Sequence, residues 1–132
     1  MARAVGIDLG TTYSLVALVE RDHPVVIKDE RGEGRYPSAA FFGRNGADAL
    51  GWDAINRASS EDGDLLLSVK RFMGKSAQSA RESTGLKGFR LAAGDDRVVR
   101  FDVEGSRVVT PVELSARYLA ALKARAQAYC KE

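Results

Sequence analysis

A single cysteine, Cys130, excludes an internal disulfide from this chain of 132 residues. The single histidine, His23, stands between Asp22 and Pro24, where it reads as a solvated turn residue and not as a base or a metal ligand. No apolar run approaches the roughly 18 residues that a membrane-spanning helix needs. The N-terminus lacks the apolar core of a signal peptide. Neither sign of charge dominates: the formal net charge is +2, and Arg and Lys are interleaved with Asp and Glu without a block of like charge. That balance gives no case for nucleic acid or a membrane as a partner. Internal repeats and low-complexity segments are missing too. What remains is an ordinary globular composition, 45% apolar and 29% charged. Its length is about that of one domain, able to bury roughly two-thirds of its unfolded surface. Cytoplasm is the default expectation.

What the chain does have begins at once. Val5-Gly6-Ile7-Asp8-Leu9 and Ser14-Leu15-Val16-Ala17-Leu18-Val19 are two apolar β-type runs around a Gly10-Thr11-Thr12-Tyr13 corner. Asp8 is an odd strand residue, since Asp disfavours strands and is costly to bury unpaired. Gly10 lets a ligand approach the backbone closely. Thr11 and Thr12 add hydroxyls and backbone N–H groups. An acid for a hydrated cation, beside donors for the phosphates that it accompanies, suits a nucleoside triphosphate. A plain hairpin turn, where Gly and Thr are common, accounts for the same letters.

Taken in order, residues 4–9 and 14–20 are expected to pair antiparallel, with 24–28 as a third strand. A polar, glycine-punctuated loop over 29–35 leads through Tyr36-Pro37-Ser38 into a short apolar strand at 39–42. Residues 49–51 suggest another short strand, and 52–59 one or two helical turns. The spacing of Leu66, Val69 and Phe72/Met73 predicts a helix over 65–73, with Asp64 as N-cap and Gly74 as terminator. Lys70, Arg71 and Lys75 cluster at its C-terminal end, where cations are favoured in any helix. A further helical turn is expected over 76–83. Three short strands follow at 89–93, 97–103 and 107–109. The acids of the Gly94-Asp95-Asp96 and Glu104-Gly105-Ser106 turns are explained by turn chemistry without a metal. Thr110-Pro111-Val112-Glu113 carries a capping-box pattern with proline at the first helical position, opening a helix to about Tyr129. Its expected stripe is Ser115, Leu119, Leu122, Ala126 and Tyr129, with Leu114, Tyr118 and Ala121 beside it. A three-stranded ribbon is thin cover for such a helix. Hence Tyr118, Leu122, Tyr129 or a strand edge is expected to be partly uncovered, and self-association to follow.

Two separate segments resemble one family. Gly6-Ile7-Asp8-Leu9-Gly10-Thr11-Thr12-Tyr13-Ser14 is similar to the first phosphate motif of the 70-kDa heat-shock chaperones, the DnaK type. Ser68-Val69-Lys70-Arg71-Phe72-Met73-Gly74-Lys75 resembles the family's lysine-bearing segment. Between them Tyr36-Pro37-Ser38 looks like its Thr-Pro-Ser, and Leu50-Gly51-Trp52-Asp53-Ala54 like its Val-Gly-x-x-Ala. Tyr36 departs from the usual threonine. The Trp-Asp-Ala and Ser-Val-Lys-Arg wording is nearest to the iron–sulfur-assembly branch, HscA.

The resemblance implies a mixed α/β fold of the actin-like ATPase (ribonuclease H-like) type, of which this chain supplies only the first part of lobe I. Residues 1–37 would open the inner subdomain IA, 38–109 would form the outer subdomain IB, and 110–132 would be the helix returning to IA. The globular spacing of strands, short helices and turns over 38–109 independently predicts a core of Phe41, Phe42, Trp52, Leu66, Val69, Phe72, Phe89, Val99 and Phe101. By the same resemblance, Asp8 would orient Mg2+ through its water shell. Gly10, Thr11, Thr12 and Tyr13 would hold the β- and γ-phosphates of ATP or ADP. Lys70 would be catalytic, positioning the attacking water and stabilising charge on the γ-phosphate. The implied partners of the intact chaperone are a J-domain co-chaperone, a nucleotide exchange factor and an unfolded or iron–sulfur scaffold client. The runner-up is a sugar-kinase-like phosphotransferase of the same superfold, whose members also open with Gly-x-Asp-x-Gly-Thr-Thr. A filament-forming actin relative and a ligand-free α+β domain are the remaining readings.

Overall fold

The computed structural model describes residues 3–82, 89–94, 97–104 and 107–131. Its first sheet is built on β2 (Tyr13–Glu20), which pairs antiparallel with β1 (Gly6–Asp8), β3 (His23–Val26) and the two-residue β4 (Tyr36–Pro37). Strand alternation decides its faces: Ser14, Val16 and Leu18 are buried, while Tyr13 and Val19 are exposed. The β1–β2 register sets Gly6 opposite Ala17, Ile7 opposite Val16 and Asp8 opposite Leu15, so Asp8 ends its strand beside the corner. Arg21 and Asp22 both take positive φ, 47° and 64°, as a two-residue hairpin turn of the primed type requires. His23 is exposed at the start of β3, one residue earlier than expected.

The second sheet is centred on β5 (Ala39–Gly43), buried along its whole length between β6 (Asp48–Leu50) and β7 (Gly63–Leu67). Successive side chains of β5 serve opposite faces. Phe41 packs with Ala39, Ala49 and Ala54 under α1 (Gly51–Ala58). Phe42 joins Leu66, Val69, Phe72, Val99, Phe101 and Val109 in a larger cluster. A two-stranded ribbon of β8 (Phe101–Val103) and β9 (Arg107–Val109) closes that side, and α2 (Ala77–Glu82) adds Ala80. Trp52 and Phe89 are only half-buried, so they rim these cores and do not fill them.

Residues 65–73 are not the helix that their spacing predicts. Residues 63–67 form a strand that pairs with β5 at five positions, Ala39 opposite Leu67 through Gly43 opposite Gly63. Ser68 then turns left-handed (φ 56°), and only Val69–Phe72 coil, as a 3-10 turn. The apolar spacing of Leu66, Val69 and Phe72 fits a strand followed by a turn as well as a helix, and the open edge of β5 decides between them. Asp64 consequently caps no helix. Its carboxylate accepts from the Arg90 guanidinium at 2.7 and 3.1 Å and from the Glu104 N–H at 2.9 Å. Of the strand expected at 89–93, the described part makes one bridge, Leu91 to Phe101. The two acid-bearing turns near 95 and 105 lie partly outside the described residues.

The last element, α3 (Pro111–Cys130), opens as expected: Thr110 Oγ1 accepts from the Glu113 N–H, and the Glu113 carboxylate accepts from the Thr110 N–H. It closes on Lys131 in left-handed conformation (φ 57°), a role more often taken by glycine. The buried stripe is a row of Leu114, Tyr118, Leu122 and Ala126, with Ser115 beside it. Leu119 and Tyr129, expected in the stripe, are exposed. Tyr118 and Leu122, expected to be partly uncovered, are 2% and 0% exposed. The reason is that α3 serves two cores. Leu114 and Tyr118 pack into the Phe42 cluster, while Leu122 and Ala126 pack on Val16, Leu18 and Ile27.

Candidate functional site

Between the end of β1 and the start of β2 the chain turns through residues 9–12. Ladder pairing does not continue around that corner, so its shape depends on side chains. The Gly10 N–H donates to Ser14 Oγ at 3.2 Å, and Ser38 Oγ donates to the Gly10 carbonyl at 2.8 Å. The two hydroxyls lie 2.9 Å apart, and the Ser38 N–H donates to the Thr12 carbonyl at 2.9 Å. A Cβ at Gly10 would overlap the Tyr13 carbonyl oxygen, so glycine is required here by close approach. Thr11 and Thr12 face outward and are exposed, as is Asp8.

Lys70 reaches the same place from 61 residues away in sequence. The left-handed turn at Ser68 aims the 3-10 segment back toward the first sheet, and Lys70 Nζ donates to the carbonyl of Leu9. Asp8, Gly10, Thr11, Thr12 and Lys70 are therefore brought to one corner. Tyr13 belongs to it through its backbone, while its ring leans the other way. The Arg35 guanidinium carbon lies 4.8 Å from the ring centroid, and the Trp52 ring lies 6.2 Å away, tilted by 39°. Trp52 Nε1 donates to the Arg35 carbonyl at 3.1 Å, and Arg35 is held by Glu33 at 3.1 Å. The Arg35 guanidinium pulls the Glu33 carboxyl down to about 2, and Glu33 in turn raises Arg35. Among the described residues no three of His, Cys, Asp and Glu cluster as a metal site. A lone carboxylate beside a corner of backbone donors is still compatible with Mg2+, which keeps several waters and is commonly held by one or two carboxylates plus the phosphates that it accompanies.

A family model for the Hsp70 protein matches residues 4–132, which is nearly the whole chain. The chain belongs to the Hsp70 family. Among similar proteins, a Chaperone protein HscA homolog of Bordetella petrii is 40% identical over 124 residues, covering 94% of this chain and 19% of that protein. The HscA homolog of Bordetella pertussis is 42% identical over the same length and shares. Chaperone protein DnaK of Thermus thermophilus is 37% identical over 119 residues, covering 90% of this chain and 19% of its own. The chain thus spans about a fifth of the length of the curated relatives that it matches. Its mixed α/β arrangement of small sheets and helices accords with a piece of an Hsp70 ATPase domain.

Within this Hsp70 segment the structure adds residues that sequence reasoning passed over. In the sequence Ser14 and Ser38 are only letters of two motifs, yet they meet behind the corner. Arg35 carries no expectation from sequence and Trp52 only that of a core residue, yet the two frame Tyr13. The available signal was Ser38 in a polar-to-apolar transition straight after a proline. Nothing in its spacing from Gly10 announces a contact across 28 residues.

Proposed function

We propose that this chain forms one wall of the nucleotide site in an ATP-dependent Hsp70-type chaperone, the first part of lobe I of an actin-like ATPase domain. The observation that carries the reading is the meeting of Lys70 with the Leu9–Tyr13 corner, because it brings a cation on a long side chain to the corner's backbone across 61 residues. On this reading Gly10, Thr11, Thr12 and Tyr13 bind the β- and γ-phosphates of ATP, and Asp8 holds the water shell of Mg2+. When bound, Mg2+ offsets phosphate charge. Lys70 leaves the Leu9 carbonyl for the γ-phosphate oxygens, where a flexible ammonium suits a point-charge contact. It also orients the attacking water. Phosphoryl transfer asks mainly for such positioning and electrostatic stabilisation. Residues 1–37 and 110–132 then belong to the inner subdomain and 38–109 to the outer one. A J-domain co-chaperone, an exchange factor and an unfolded or iron–sulfur scaffold client complete the cycle in the cytoplasm. Membership of the Hsp70 family leaves the sugar-kinase alternative without support.

In the full-length gene product, Lys70→Ala should lower ATP turnover by about 10²–10³ while ATP still binds. Asp8→Asn should weaken the Mg2+ dependence of binding instead. Unchanged turnover in the Lys70 variant, measured by phosphate release, would remove Lys70 from the mechanism.

A further inference from the structure

Three serine side chains are buried among the described residues, Ser14, Ser38 and Ser115, and the first two meet behind the phosphate corner. Their proton order follows from their partners. A hydroxyl has one proton to give. Ser38 gives its own to the Gly10 carbonyl, so the proton between the two hydroxyls comes from Ser14. Ser14 then accepts the Gly10 N–H, and the ring closes: Gly10 N–H to Ser14, Ser14 to Ser38, Ser38 to Gly10 C=O. The ring grips both polar groups of one residue in a stretch that no strand ladder orders.

The consequence for a ligand comes from peptide geometry. In a planar trans peptide the carbonyl of one residue and the N–H of the next point in opposite directions. No peptide bond is cis among the described residues. Ser38 Oγ draws the Gly10 carbonyl inward, which turns the Thr11 N–H outward. The Ser38 N–H draws the Thr12 carbonyl inward, which turns the Tyr13 N–H outward. Both carbonyls accept from Ser38, so both amides point away from it. The preceding peptide is set the other way round: Lys70 holds the Leu9 carbonyl, and the Gly10 N–H points inward to Ser14. We propose that Ser38, seconded by Ser14, is a positioning residue for polyphosphate binding, orienting the Thr11 and Tyr13 amides toward the β- and γ-phosphates without touching the nucleotide. This rests on the nucleotide reading of the corner.

The test compares ATP, ADP and AMP affinities by calorimetry in the full-length gene product and its Ser38→Ala and Ser14→Ala variants. A merely structural loss lowers the active fraction and leaves the ratio of affinities alone. Loss of amide orientation weakens nucleotides in proportion to their phosphates. In Ser38→Ala, ATP should bind about tenfold more weakly, equivalent to about 1.4 kcal/mol, with AMP changed less than about twofold. Ser14→Ala should shift the ratio the same way by about threefold. An unchanged ATP-to-AMP ratio in Ser38→Ala, or in Ser14→Ala should the first variant not fold, overturns the positioning role alone. Failure of both variants to fold, seen by circular dichroism, overturns it in favour of a role in the fold. Absence of ATP binding by the unsubstituted protein overturns the nucleotide reading and the positioning role together.

Discussion

At Gly10 the requirement is space. The residue lies against the Tyr13 carbonyl, and any side chain must push that carbonyl or the corner aside. Gly10→Ala should therefore destabilise the protein by about 1–3 kcal/mol, as overpacking does, and should displace the amides around the corner. Chemical denaturation and an ATP titration of the full-length variant check both effects. Three residues beyond Gly10, Tyr13 is held by Arg35, and Arg35 by Glu33. The depressed Glu33 carboxyl sets a pH window. A carboxyl whose folded pKa falls from 4.5 to about 2 contributes fully above 4.5, and the contribution disappears as pH drops toward 2. The 13C shift of the Glu33 carboxyl should accordingly titrate well below 4.5, and Arg35→Gln should bring its midpoint back up. A midpoint that stays near 4.5 in the unsubstituted protein would deny the pair.

Helix α3 shows how one element serves two cores. Its Leu122 is fully buried on the first sheet, and Leu122→Ala should cost about 2–5 kcal/mol in denaturant unfolding. One turn earlier, the Tyr118 hydroxyl is buried with no hydrogen-bond partner among the described residues, and burial raises the phenol's pKa. Tyr118→Phe removes a desolvated polar atom while keeping the ring. It should be neutral or stabilising by about 1 kcal/mol in the same experiment. Strand β7 makes a related point. Its Asp64 joins Arg90 and the Glu104 amide, so the acid that looks like a helix cap ties strand β7 to the β8 ribbon.

For the molecule as a whole, the Leu9–Tyr13 corner is a surface feature. Asp8, Thr11, Thr12 and Lys70 are exposed along it, and on the proposed reading they form one side of the nucleotide site. The relatives are about five times longer, since the chain covers 19% of their length. On the proposed reading the opposing phosphate donors and all adenosine contacts lie in sequence that these 132 residues do not contain. The purified 132-residue chain should therefore show no steady ATP turnover. A phosphate-release assay decides this. Turnover that Lys70→Ala abolishes would mean that these residues carry a complete active site.

Much of this was legible in the chain itself. Local rules suffice for the β1–β2 hairpin, for the capping box of α3 and for the two motifs that carry the family likeness, because each depends on residues within a few positions of one another. Alternation in β2 likewise marks Val16 and Leu18 as core. Elsewhere local rules were satisfied twice over. The spacing of Leu66, Val69 and Phe72 suited helix and strand alike, and only the unpaired edge of β5 settled the matter. The face of α3 was ambiguous in the same way, until the Phe42 cluster claimed Leu114 and Tyr118. The corner itself marks the boundary most clearly. Sequence pointed to Asp8, Gly10, Thr11, Thr12, Tyr13 and Lys70 as its working residues. That Lys70 rests on Leu9, and that Ser14 and Ser38 clasp Gly10, are contacts across 61, 4 and 28 residues. The longer two exist only because β4 lies against β2 and the Ser68 turn folds back, and both depend on where whole strands come to rest.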